Sequence, residues 1–273
     1  TNKYSYQGAT PETDAFLNIE YLISKQKQDS IRTFEWLSEA DGRNLYQNHC
    51  GLGLGFMVSD NIFNWDYEKT NPFEVINQLA LSATGMEIRP YTYFGLPEPT
   101  AEGCELTTDS WADWSYTADS AEDGKVTYTY TPEKEQDLYI YFKAAHCVKV
   151  EVTHNEESQF YSDEDGHIIQ VGTVKAGETV TLVFSLDDAY DDGNIKLIAA
   201  EHSMDDFYQV FDMLKEQRWM LDEVSSARLS GTITVKQDGV MFTSIPYDEG
   251  WSVKVDGETV RPEKIADAFI GIS

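Results

Sequence analysis

Cysteine is scarce in this 273-residue chain. The three present, Cys50, Cys104 and Cys147, show no Cys-x-x-Cys spacing and leave one thiol over in any pairing within the chain. A disulfide framework is therefore not the basis of the fold. Basic residues are few as well. Twenty Lys and Arg stand against 48 Asp and Glu, for a formal charge of −28. Such a surface repels phosphate backbones and anionic lipid, which excludes nucleic acid as a partner. No apolar run reaches the ~18 residues of a membrane helix. The start of the chain lacks a basic stretch followed by an apolar one, so export of this domain is expected to depend on sequence outside it. No Gly-x-Ser-x-Gly elbow, phosphate loop or His-Glu-x-x-His occurs, which removes the commonest hydrolase, nucleotide and zinc signatures.

What is present is the composition of a globular protein, with 41% apolar and 25% charged residues, in a length that suits two or three compact units. Residues 1–105 read as a mixed α/β unit. Phe16–Ile23 predicts a strand, and Ile31, Phe34 and Leu37 have helical spacing. Asn44–Asn48 and Leu54–Val58 predict two short strands. The clearest helix starts at Asn71, a good N-cap followed by Pro72, carries Phe73, Ile76, Ala80 and Leu81 on one stripe, and ends at Gly85.

From Glu87 the texture changes to short strands. Glu87–Phe94, Val126–Tyr130, Leu138–Phe142, Val148–Val152, Ile168–Val171, Thr179–Phe184 and Asn194–Ile198 mostly alternate with period two and are rich in β-branched and aromatic residues. Gly-containing turns lie between them. Residues 106–202 therefore read as an antiparallel β-sandwich, jelly-roll-like. Residues 203–273 read as a helix, capped by Ser203 and carrying Phe207, Val210, Phe211 and Leu214, followed by a small β unit opening at Leu229. The predicted class is α+β, mostly β.

Several stretches invite a site. Gly51-Leu-Gly53-Leu-Gly55 lacks the third glycine and following helix of a dinucleotide loop, and reads instead as crowded backbone. His49-Cys50 and His146-Cys147 are adjacent pairs whose side chains diverge on a strand, a poor arrangement for shared chelation. The acidic turns holding Asp163 and Asp165, and Asp187 and Asp188, offer clustered carboxylates for calcium without the EF-hand register. Solvated loops are the simpler reading of both in so acidic a chain, and no other cofactor is expected. Trp111 and Trp114 offer flat faces on which a sugar ring can stack, although 13% aromatics also suit cross-strand packing. With 48 acids, no catalytic carboxylate pair can be singled out.

The last stretch is the most informative. Val240–Ile245 alternates, Pro246–Gly250 breaks the run, Trp251, Val253 and Val255 share a face, and Asp256-Gly257 is a type I′ hairpin dipeptide. The chain stops inside the apolar run Ile270–Ser273, as a piece of something larger would. Phe242–Val260 with Ala266–Ile272 closely resembles the C-terminal signature of the YfhO-type bacterial membrane protein family. Asp14–Ser24, Leu54–Val58 and Asn71–Glu74 are similar to earlier parts of it. The likeness covers most of the chain and is thin across the sandwich.

That resemblance implies a polytopic protein similar to GT-C glycosyltransferases, which use lipid-linked sugars and are implicated in glycosylating teichoic acids or other envelope polymers. This chain would be its extracytoplasmic region, with the transmembrane part of the same polypeptide as one partner and a cell-envelope glycan as another. The family's catalytic acids sit in loops between early membrane helices. No position here matches them, so none is carried over and the fragment is expected to be non-catalytic. A strand expected after Ile272 and a following helix are missing from the pattern. Trp251 and Phe269 are assigned to the core of the terminal sheet. Alternatives from other classes are a secreted carbohydrate-binding sandwich and a protein-interaction scaffold.

Overall fold

In the computed structural model, residues 8–25, 32–118, 124–161, 166–225 and 227–273 are described. The chain is mostly β, with few helices, and divides into two compact units. Of the described residues, one holds those within 8–9 and 92–202, and the other holds those within 10–91 and 203–273. The division thus differs from three consecutive segments, because the predicted first and last units are one.

The first unit is an antiparallel sandwich. One sheet runs in the order His167–Val174, Gln136–Ala144, Asp192–His202, Asp113–Ala118, Cys104–Thr108, and Tyr91–Phe94 also pairs with Asp192–His202. The other runs Glu157–Tyr161, Cys147–His154, Val180–Leu186, Lys125–Tyr130, Thr100–Glu102. Period-two alternation supplies the core. Leu138, Ile140 and Phe142 from one sheet meet Val180, Leu182, Phe184, Val126 and Tyr128 from the other, all buried. Phe184 packs edge-on against Tyr128 and Phe142, at centroid distances of 5.8 and 5.6 Å, the arrangement that the ring quadrupoles favour.

The second unit is built on a four-stranded sheet in the order Glu263–Ile265, Phe269–Ile272, Val240–Pro246, Gly55–Val58. Val240–Thr243 pairs residue by residue with Gly55–Val58, and this pairing fuses the two ends of the chain. Three helices pack on it. Pro11–Phe16 is closed by a Thr10–Thr13 capping box. Pro72–Thr84 has Asn71 accepting from the Phe73 N–H and Gly85 in the left-handed region at its end, as the sequence predicts. Met204–Lys215 has Ser203 accepting from the Asp206 N–H. Phe16, Phe56, Leu79, Phe207, Phe211, Leu214 and Phe242 make the core between them.

Four local expectations are revised. Residues 34–40 form a strand, not a helix, because Asp41 and Gly42 take positive φ of 52° and 67° and turn Phe34–Ala40 back along Arg43–Asn48. Phe16 ends a helix, and the strand begins only at Tyr21. Leu229–Thr232 pairs with Met220–Val224 as a separate ribbon, not within the terminal sheet. Trp251 is 36% exposed, following a turn in which Asp248 accepts from the Gly250 N–H and leading into the ribbon Val253–Val255/Glu258–Val260. It is not core. Phe269 does pack inward, 5.3 Å from Phe242.

Candidate functional site

The candidate surface lies on the sandwich at the turn joining Cys104–Thr108 to Asp113–Ala118. The Asp113 carbonyl accepts from the Asp109 and Ser110 N–H groups at 2.9 and 3.2 Å. The Ser110 hydroxyl accepts from the Asp113 N–H at 3.1 Å and donates to the Asp113 carboxylate at 2.6 Å. Ser115 donates to Asp109 across the same turn. These short-range bonds are what Asp and Ser contribute to turns generally. Here they hold Trp111 at the tip.

Trp111 is 55% exposed and lies nearly parallel to Tyr93, with centroids 6.2 Å apart and planes at 19°. Gly95 backs it. A Cβ there would approach the Trp111 carbonyl oxygen to 2.7 Å and Cε3 to 3.3 Å, so glycine lets the segment after Tyr93 press against the turn. The rim is polar, with Asp109, Ser115 and Asp113, whose carboxylate pairs with Lys196 at 3.3 Å. An open indole face beside fixed carboxylates and an ammonium suits a ligand with one apolar face and hydroxyls at its edge.

Trp114 does not share that surface. It lies opposite Ile195 in the strand pairing and packs, half-buried, against the sandwich core. A turn followed by a strand sends residues three apart to different places. Tyr93, which sequence spacing does not connect with Trp111, is its actual neighbour. The turn itself had a signal in Asp109-Ser110 and Asp113. A second exposed aromatic of the sandwich, Phe160 at 59%, is covered on one face by Lys149, 4.2 Å from its centroid. Lys149 also donates to Glu151 at 2.9 Å and holds that carboxyl below its ordinary range.

Asp187 and Asp188 lie in the loop before Asp192–His202. Asp187 accepts from the Ala189 N–H through Oδ1 at 3.0 Å, and its own N–H donates to the His146 carbonyl at 2.8 Å. His146 stacks on Tyr190 at 3.8 Å with planes at 6°. The loop thus uses one aspartate oxygen for its own turn. Among the described residues no three His, Cys, Asp or Glu side chains converge to hold a metal ion. Asp163 and Asp165 lie outside the described residues.

The Gly51–Gly55 stretch is crowded backbone. A Cβ on Gly51 would meet the Asn18 Oδ1 at 2.7 Å, and one on Gly55 the Met241 Cε at 2.6 Å. Burial pushes the Cys50 thiol up to about 11, far from the thiolate character a reactive cysteine needs.

Comparison with known proteins adds the following. A family model described as bacterial membrane protein YfhO matches residues 1–273. No curated protein matches the chain. Among solved structures, a family 29 carbohydrate-binding module is similar over 43% of this chain and 93% of its own, at 17% identity and a TM-score of 0.29. The Podospora anserina GH26-CBM35 β-(1,4)-mannanase is similar over 42% of this chain and 28% of its own, at 16% identity and a TM-score of 0.28. A family two carbohydrate esterase from Cellvibrio japonicus is similar over 41% and 33%, at 9% identity and a TM-score of 0.29. Likeness this slight carries no argument about function.

Proposed function

The chain belongs to the YfhO family of bacterial membrane proteins, and from that premise we propose that it is a non-catalytic extracytoplasmic module that recognises or positions a cell-envelope glycan. Among the described residues no helix is long and apolar enough to cross a membrane; on this reading the membrane-embedded part belongs to the rest of the polypeptide. Chemistry on a lipid-linked sugar is assigned there too, with an envelope polymer as acceptor whose neutral sugars, not its phosphates, suit so acidic a surface. A charge of −28 keeps such a module away from anionic headgroups.

The observation that carries the reading is the Trp111–Tyr93 stack with its polar rim. A sugar ring has an apolar C–H face and peripheral hydroxyls, and this surface offers the complement of both. Tryptophan at the desolvated centre of a contact is among the residues whose truncation costs about 2 kcal/mol or more of binding. Trp111→Ala should therefore weaken glycan binding by at least about tenfold while leaving the melting temperature unchanged, because the indole contributes little to the core. Titration calorimetry of the whole chain against teichoic acid fragments and neutral oligosaccharides measures this. Unaltered binding in the variant would refute the platform assignment, and hydrolysis of a lipid-linked sugar by the isolated chain would refute the non-catalytic role.

A further inference from the structure

The second unit contains an open cleft of about 720 Å³, inside the range of small-ligand sites. It forms where a short ladder ends. The Met57 N–H donates to the Gln217 carbonyl at 3.0 Å and the Trp219 N–H to the Gly55 carbonyl at 2.7 Å. Beyond that point one segment leaves as the Met220–Val224 strand and the other as the Gly51–Leu54 loop. Residues 18–21 line the gap from the side. Two glycines make room for the indole of Trp219. A Cβ on Gly55 would lie 3.3 Å from its Cε3, and one on Gly231 would lie 2.7 Å from its Nε1.

The polar groups in the cleft are held in place before any ligand arrives. Asn18, at φ 52°, accepts from the Gly53 N–H at 2.9 Å and donates through Nδ2 to the Glu20 Oε1 at 3.1 Å. Arg218 donates through Nη1 to the Gly51 carbonyl at 3.2 Å. Each charged group is thus fixed by one bond and keeps further donor or acceptor capacity. Both are exposed and both line the cleft beside Tyr21, which is 53% exposed, and Trp219. The two charges cancel. A cation would meet Arg218 and an anion Glu20, whereas a neutral ligand with an apolar face and adjacent hydroxyls satisfies both groups and the aromatic walls together.

We infer that this cleft is a second saccharide site, for a neutral pyranoside whose C–H face lies on Tyr21 and Trp219 and whose hydroxyls donate to Glu20 and accept from Arg218. The inference rests on reading the chain as a glycan-recognising module and adds a site on the other unit. Preorganised polar groups reduce what binding must spend on ordering them.

Labelling the whole chain with 5-fluorotryptophan gives one ¹⁹F resonance for each of its six tryptophans, assigned by single Trp→Phe variants. The probes are gluco-, galacto- and manno-oligosaccharides, N-acetylglucosamine oligomers and inorganic phosphate. We expect the Trp219 resonance to shift saturably with at least one neutral sugar and not with phosphate. Glu20→Gln and Tyr21→Ala, both at exposed positions, should each weaken that shift at least tenfold with no change in melting. A Trp219 resonance unmoved by every sugar overturns the inference, as does saturation with phosphate alone, or a shift indifferent to both variants. The Trp111 resonance reports separately. Movement there alone retains the platform and eliminates the cleft, and movement at Trp219 alone does the reverse.

Discussion

Phe242→Ala tests whether the two ends of the chain are one cooperative unit. Phe242 is 2% exposed and touches Phe16, Phe56 and Phe269 at centroid distances of 5.7, 5.3 and 5.3 Å. Its backbone pairs with Phe56 on one side and Gly271 on the other. Truncating a buried Phe typically costs about 3–5 kcal/mol through lost burial and the cavity left behind. Against a stability of about 5–15 kcal/mol for a domain, that is a large fraction. Native-state hydrogen exchange reads the consequence by segment. Amides of Gly55–Val58 and of the helix Pro72–Thr84 should exchange faster by about a hundred- to several-thousand-fold, at 1.4 kcal/mol per factor of ten. The sandwich strands Gln136–Ala144 and Val180–Leu186 should keep their protection. Trp251→Ala is the control, since a residue 36% exposed should cost no more than about 1 kcal/mol when truncated. Exchange in Gly55–Val58 and Pro72–Thr84 that is unaltered by Phe242→Ala would refute the shared core and restore an independent N-terminal unit.

Three further predictions concern thiols and titrating groups. Burial raises the Cys50 thiol to about 11, above its usual value of about 8.5. A group raised in this way gives stability that is complete below the unfolded value and disappears as pH climbs through the folded one. Cys50→Ala should therefore flatten the loss of stability measured by urea unfolding between about pH 8.5 and 11, and an unchanged slope would sink the reasoning. At pH 8, Ellman's reagent should label the partly exposed Cys104 first, with buried Cys50 and Cys147 reacting only on unfolding; equal rates at all three would contradict their burial. Glu178 accepts from the Lys175 N–H and from His154, and both bonds hold its carboxyl below the ordinary range. A depressed carboxyl stabilises the fold above its unfolded pKa of about 4.3 and loses that contribution as pH falls. Glu178→Gln should melt below the parent at pH 7 and with it at pH 3. A gap independent of pH would rule this out.

Much of the fold was legible because local and tertiary signals agree. The helix from Pro72 to Thr84 has its cap, its proline, its stripe and its closing glycine in sequence and structure alike. The sandwich strands alternate as their faces require, and Asp256-Gly257 takes positive φ of 50° and 87° in its hairpin. The failures arose where two periodicities competed. Phe34 and Leu37 fit a helical spacing, yet Asp41-Gly42 carries the same hairpin dipeptide as 256–257 and decides for strands. The merging of the two ends had no local signal at all. Gly55–Val58 and Val240–Thr243 are each plain strands, and only their pairing puts residues nearly two hundred positions apart in the same sheet.

Site residues follow the same division. Sequence names Trp111 and Trp114 together as flat faces for a sugar ring, and only the structure separates them, leaving Trp111 55% exposed at its turn. Its partner Tyr93 was not legible, since their contact depends on where Tyr91–Phe94 joins the sheet. Equal spacing on paper joined Trp111 to Trp114, but alternation along Asp113–Ala118 sends Trp114 to the core. The cleft of the second unit was hidden for a stronger reason. Asn18, Gly53 and Arg218 come from three separate segments, and each is ordinary alone. The one local trace was the glycine stretch 51–55, which looked like a failed nucleotide loop. Gly51 is needed because the Asn18 side chain occupies the space that its Cβ would take, Gly55 because Met241 and the Trp219 indole do, and Gly53 because its φ is 78°. A glycine cluster without its motif is therefore better read as a request for neighbours than as a weak match. Here the neighbours it admits are the ones that line the cleft.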